Sequence, residues 1–271
     1  MSESQPQFLQ LGRGETVSER RIAYRADPPA AGNGEGISLF WLSGYKSDMG
    51  STKATELAAF AAANGYGCTR FDYSGHGISS GEFENGTIGS WLEEALTVFR
   101  TVTSGRQIVV GSSMGGYIAL LMLRRLLAIA PEQAARIAGV VLIAPAWDMT
   151  EELMWKQFDQ KARRDLEETG VFLLPSEYGE PYAISRALIE EGRSHLMGRR
   201  PFDPGRPVVI LQGRFDTSVP ISHSRALVSV LEGGWAEFVE IPDGDHRLSR
   251  PQDISLLFTK IDEMIVRANF K

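Results

Sequence analysis

The chain has a single cysteine, Cys68, among 271 residues. No intramolecular disulfide can form, and a chain of this length buries about three quarters of its unfolded surface without such a staple. Cys68 sits in Gly65-Tyr66-Gly67-Cys68-Thr69-Arg70-Phe71 and reads as a small buried hydrophobe rather than a reactive thiol. Long apolar runs are also missing. The longest, Ile118–Ala130, is broken by Arg124 and Arg125, so no membrane span is expected. Met1–Gln7 has neither a basic region nor an apolar one, so no secretory signal is expected and the location reads as cytoplasmic. No block of five like charges occurs, and the net charge is −6, which argues against a nucleic-acid or anionic-membrane partner. Nothing resembles a metal cage, a dinucleotide fingerprint or a phosphate loop, so neither cofactor nor metal is expected.

What is present is the balance of a globular protein, 43% hydrophobic and 23% charged. Runs rich in β-branched residues alternate with helical spacing, the pattern of a mostly parallel central sheet flanked by helices. Strands are expected at Arg20–Arg25, Ile37–Leu42, Cys68–Phe71, Gln107–Gly111, Gly139–Ala144, Pro207–Gln212 and Phe238–Ile241. Helices are expected at Lys53–Asn64, Ile88–Val102, Met114–Ala130, near Ile221 and at Pro251–Phe270, with a turn at Pro28–Gly36. The stretch 146–206 breaks this rhythm. It is too long for a bare loop. Met154, Phe158, Ala162 and Leu166 recur every fourth residue, and Tyr182–Leu196 is a second helical candidate. The expectation is therefore a core of residues 1–145 and 207–271 with a helical lid inserted at 146–206.

Gly111-Ser112-Ser113-Met114-Gly115 fits Gly-x-Ser-x-Gly between an apolar strand and a long apolar helix. That context is what a nucleophile elbow requires, with small residues relieving the close approach of strand and helix. Ser113 is the expected nucleophile. Ser112 is its neighbour off the pattern. A serine hydroxyl needs a base. Of four histidines, His246 follows the last expected strand in a polar loop, Pro242–His246; His76, His195 and His223 read as structural or solvated, with His76 or His195 as alternative pocket-lining residues. The acid should follow a strand between serine and histidine, and Asp216 lies in the loop after Pro207–Gln212. Asp243 and Asp245 flank His246 and are weaker candidates. Two backbone N–H donors should face a developing oxyanion. Met114 supplies the first and Tyr45 of Ser43-Gly44-Tyr45 the second, or Gly44 if the register slips by one.

These residues resemble the α/β-hydrolase superfamily from about residue 20 to 270. Phe71-Asp72-Tyr73-Ser74-Gly75-His76-Gly77 is similar to that family's turn after its third core strand, and Leu42-Ser43-Gly44-Tyr45 to its oxyanion motif, with Ser43 where histidine is common. Gly111–Gly116, Leu211-Gln212-Gly213 and Asp243–Ser249 are similar, more narrowly, to the mitochondrial acyl-protein thioesterases that also cleave acyl glucuronides. The resemblance implies ester or thioester hydrolysis on acyl chains through an acyl-serine intermediate. Trp147, Met149, Met154, Trp155 and Phe158 are the expected acyl-pocket residues. Two other readings stay open: the same triad acting on an amide, carbon–carbon or peracid bond, and a non-catalytic small-molecule receptor on this fold.

Overall fold

The computed structural model describes residues 4–12, 19–30, 36–176 and 179–269. In chain order the strands are β1 (Gln7–Leu11), β2 (Arg20–Asp27), β3 (Ser38–Leu42), β4 (Cys68–Phe71), β5 (Gln107–Ser112), β6 (Ile137–Ile143), β7 (Val171–Ser176), β8 (Gly179–Ser185), β9 (Val208–Gly213) and β10 (Ala236–Ile241). Eight of them form one sheet in the order β1-β2-β4-β3-β5-β6-β9-β10, and β7 pairs with β8 in a separate hairpin. Pairing is antiparallel between β1, β2 and β4, and parallel from β4 onward. The helices are α1 (Thr52–Ala63), α2 (Ile88–Val102), α3 (Met114–Ile129), α4 (Pro131–Ala134), α5 (Gln160–Thr169), α6 (Arg186–Gly192), α7 (Ile221–Val230) and α8 (Pro251–Asn269).

The inner strands are apolar at almost every position because both faces of the sheet are covered. Successive side chains alternate between faces. Leu39, Trp41, Ile108, Val110, Val141, Ile143, Val209 and Leu211 join one core with residues of α1 and α8. Phe40, Leu42, Val109, Val140, Leu142, Val208 and Ile210 join the other with α2, α3 and α7. Each such side chain contributes about 1.5–3 kcal/mol on burial, so these strands hold their carboxyl ends rigidly. The loops that leave those ends, after β3, β5, β6, β9 and β10, build the site, as expected in an open parallel sheet. Cys68 is buried in the core shared with α1 and α8, and burial pushes its thiol up to about 12.

The expected strands agree with the observed ones to within two residues. Three strands and the short helix α4 were not expected. β1 pairs antiparallel with β2 although only Leu11 of the strand is buried, so its pattern carries little signal. The hairpin β7–β8 occupies the 146–206 segment, and Tyr182 lies in β8 rather than in a helix. The segment does carry helical turns, but not the single helix its spacing suggested. Met154 ends a π turn (Thr150–Met154), Phe158 follows a 3-10 turn (Trp155–Gln157), and only Ala162 and Leu166 share α5. All four side chains are nonetheless buried in the same core as α2 and α3. Residues 31–35 of the expected Pro28–Gly36 turn, and Phe270, lie outside the described residues.

Candidate active site

Ser113 stands between β5 and α3 with φ +54°, a left-handed conformation unusual for a side chain with a Cβ. The crossing that forces it is tight. A Cβ at Gly115 would lie 2.0 Å from the Leu42 carbonyl oxygen, and one at Gly111 would lie 2.4 Å from the Gly115 oxygen. The turn projects Ser113 Oγ to 3.2 Å from His246 Nε2. His246 Nδ1 lies 2.8 Å from Asp216 Oδ2. The Asp216 side chain is fully buried, whereas that of His246 is 18% exposed. A buried carboxylate on Nδ1 fixes that nitrogen as the donor and leaves the Nε2 lone pair facing the hydroxyl.

Asp216 is itself held. Its Oδ1 accepts from the Ser218 and Val219 amides at 2.9 and 2.7 Å, and its Oδ2 accepts from Gln212 Nε2 at 3.0 Å. Gln212 is oriented in turn by Ser224 Oγ, which donates to Gln212 Oε1 at 2.6 Å. Sequence reasoning missed Gln212 and Ser224 as supports. The available signal was one amide in an otherwise apolar strand. Asp243 is paired with Arg250, and Asp245 accepts from the Arg247 and Leu248 amides. Their carboxylates are thus committed away from the His246 ring, and Asp216 alone of the three meets it.

A Cβ at Gly44 would touch Ser113 Cβ at 3.4 Å, so the loop after β3 lies against the nucleophile. Among the described residues, neither the Tyr45 nor the Met114 amide N–H donates to a protein acceptor. Free amides on the two segments that meet at a strained serine can receive a developing oxyanion. Ser43, where histidine was expected from the resemblance, accepts from Trp41 Nε1 at 2.9 Å and is satisfied.

The model of the alpha/beta hydrolase family matches residues 31–255. The chain belongs to the alpha/beta hydrolase family. Among solved structures, this alpha/beta hydrolase is similar to a putative hydrolase from Agrobacterium vitis S4, at 43% identity and a TM-score of 0.91 over 96% of this chain and 98% of that one. It is also similar to mouse alpha/beta hydrolase domain-containing protein 10, at 29% identity and a TM-score of 0.80 over 96% and 99% of the two chains. The human mitochondrial palmitoyl-protein thioesterase ABHD10 is 32% identical over 234 residues, 86% of this chain and 74% of that protein. The protein is a hydrolase enzyme. The cytoplasmic expectation is corrected by the same finding, because the curated relatives it matches are mitochondrial.

The remaining histidines of the hydrolase have structural partners. His223 Nε2 lies 2.8 Å from the Trp147 carbonyl, and burial lowers its pKa. His195 pairs with Glu191, and its own carbonyl accepts from Tyr117 Oη at 3.0 Å. His76 lies under the loop after β3, with Nε2 3.1 Å from the Lys46 amide nitrogen. Of the expected acyl-pocket residues, Trp147, Met149, Met154 and Phe158 are buried in the core beside α3. The Trp147 indole donates to the His223 carbonyl at 3.0 Å. Trp155 is different. Arg163 and Arg193 each lie over its ring, at 4.8 and 5.1 Å from the centroid. Among the described residues no helix is long and apolar enough to cross a membrane.

Proposed function

We propose that this alpha/beta hydrolase cleaves a carboxylic ester or thioester of an acyl chain through an acyl-serine intermediate, with Ser113 as nucleophile, His246 as base and Asp216 as the acid that orients the base. The observation that carries the reading is the chain of contacts from Ser113 Oγ to His246 Nε2 at 3.2 Å and from His246 Nδ1 to Asp216 Oδ2 at 2.8 Å. His246 Nε2 takes the hydroxyl proton as Oγ bonds to the acyl carbon. The carbonyl oxygen becomes an anion facing the Met114 and Tyr45 N–H groups. Collapse of that tetrahedral species breaks the bond to the leaving alcohol or thiol, which takes the proton from His246. Water then attacks the acyl-serine by the same route, and the acid is released with Ser113 restored.

The 146–206 segment is the proposed lid, closing residues 1–145 and 207–271 over the acyl chain. Trp147, Met149, Met154 and Phe158 form the apolar side, and Trp155 supports it through Arg163 and Arg193 rather than offering a free ring face. The names of the ABHD10 relatives give reason to test S-acyl substrates first. One preparation assayed on matched ester, thioester and amide substrates of increasing chain length tests the reading. The expected result is ester and thioester turnover that Ser113→Ala abolishes. Wild-type turnover by Ser113→Ala would overturn it.

A further inference from the structure

His76 lies outside the triad, yet its ring is buried and has both nitrogens engaged. Nδ1 lies 3.1 Å from the Ser74 carbonyl, and Nε2 lies 3.1 Å from the Lys46 amide nitrogen. A backbone amide can only donate, so Nε2 accepts, and Nδ1 carries the proton and donates to Ser74. The imidazole is therefore neutral with its tautomer fixed at both ends. Tyr73, Phe83 and Trp91 enclose the ring with centroids 5.8, 5.1 and 5.4 Å away. Burial lowers the His76 pKa, against smaller opposing effects of the Ser74 bond and the Asp48 charge, which keeps the acceptor available.

The ring rests on a fixed base. Ser74 donates to the buried Glu94 from its amide at 2.8 Å and from its hydroxyl at 2.6 Å, and Arg20 donates to the same carboxylate at 2.8 Å. The Ser74 carbonyl that receives Nδ1–H also receives the Trp91 indole at 3.2 Å. What the ring holds, by contrast, is strained. The Ser47 amide bonds back to the Gly44 carbonyl at 3.1 Å, closing a turn with Tyr45 and Lys46 at its centre. Lys46 takes φ +56°, at a position such turns usually give to glycine or asparagine. A side chain there costs about 1–2 kcal/mol, which bonds from outside the turn help to offset. The Tyr45 and Lys46 side chains reach β8, but the bond from the Lys46 amide to His76 is the one made by the turn's backbone, one peptide away from the free Tyr45 N–H.

We infer that His76 is a positioning residue for the oxyanion hole: as a neutral acceptor it fixes the Tyr45–Lys46 peptide and thereby the aim of the Tyr45 N–H at the oxygen of the tetrahedral intermediate. The inference rests on the acyl-serine reading. Removing an oxyanion donor outright costs about 100- to 1,000-fold in kcat, and a misaimed donor costs less than a missing one. Because the donor acts on the intermediate and not on the bound substrate, the loss falls on kcat rather than KM.

The test compares His76→Leu, His76→Gln and His76→Asn on a p-nitrophenyl ester, with active sites counted by fluorophosphonate labelling. The Gln amide oxygen reaches the place of Nε2 and can accept from Lys46; the shorter Asn amide mimics only the Nδ1 side. The expected result is a kcat per labelled site about 10- to 100-fold lower in Leu and Asn, KM within about threefold, and Gln within about fivefold of wild type. Equal kcat in Gln and Asn overturns the inference, as does a Leu deficit fully explained by fewer labelled sites. If His76→Leu does not fold, the Gln and Asn pair still decides. Wild-type protein that neither labels nor turns over substrate removes the acyl-serine reading and this inference with it, whereas an active, labelled wild type with unaffected His76 variants removes the inference alone.

Discussion

Ser113 and Asp216 follow strands buried on both faces and His246 follows the half-buried edge strand β10, whereas the proposed acyl-side residues come from a segment of short turns and a two-stranded hairpin. In β5 and β9 every residue is buried. In β7, Leu173 is 61% exposed. The contrast separates two tasks. Reacting groups must be held to fractions of an ångström, and a sheet packed on both faces does that. An acyl chain is recognised by apolar area, which short irregular elements supply and can vary. The segment is not loosely attached, however. Tyr45 Oη and Lys46 Nζ donate to the Ala183 and Pro181 carbonyls of β8, at 3.2 and 3.3 Å, and Asp148 accepts from the Met197 and Gly198 amides at 2.7 and 2.8 Å.

The sharpest way to test this contrast is at the base. His246→Ala should lower kcat/KM by about 10,000-fold or more while the melting temperature changes little, since the ring is partly exposed and Asp216 keeps its bonds from Gln212, Ser218 and Val219. Retention of a tenth of the activity would contradict the triad. Next in size is a pair of glycines. Gly115→Ala places a methyl against the Leu42 and Ser43 carbonyls and should destabilise by about 3 kcal/mol or more in urea unfolding. Gly170→Ala, in the turn after α5, meets nothing within 4 Å and has only its φ of +81° to overcome, so about 1–2 kcal/mol is expected. Equal losses would remove the distinction between the two regions.

Beneath the His76 turn, burial raises the Glu94 carboxyl from its usual 4.5 to about 7, against the lowering effects of Ser74 and Arg20. The folded state therefore holds a proton between those values that the unfolded state releases. The associated stability is full below about pH 4.5 and is lost as pH rises through about 7. Relative to Glu94→Gln, wild-type melting temperatures should fall by a few degrees between pH 5 and 7; parallel pH curves would refute the assignment. The smallest effect is expected in the 146–206 segment. Met154→Ala should reduce kcat/KM about tenfold on long acyl chains and leave an acetyl ester within about twofold. A uniform loss at every chain length would argue against an acyl contact.

The proposed triad was picked out in the sequence from the patterns around its members. The elbow glycines bracket Ser113 between an apolar strand and helix, Asp216 follows the apolar run Val208–Leu211, and His246 follows the weaker pattern of β10, where Glu237 and Glu240 interrupt the apolar residues. The strand β1 was not legible, because Leu11 alone is buried in it. The hairpin carries Pro175 in β7 and Pro181 in β8, a residue type that weakens a strand pattern. In Met154–Leu166 the four-residue spacing is real as burial but crosses a π turn, a 3-10 turn and an α-helix, since periodicity records which side is covered and not which turn covers it. Gln212 and His76 were visible as residues, but their roles depend on which partners the fold brings to them, Asp216 and Ser224 for the one and Lys46 and Ser74 for the other. Location was misread, because the absence of a secretory pattern carries no address.

The most direct test of the central claim is covalent: peptide mass spectrometry of the protein after reaction with a fluorophosphonate, run beside Ser113→Ala. The acyl-serine account predicts one adduct, on the peptide containing Ser113, and none in the variant. An adduct on another residue, or an unlabelled wild type that still hydrolyses esters, would contradict it.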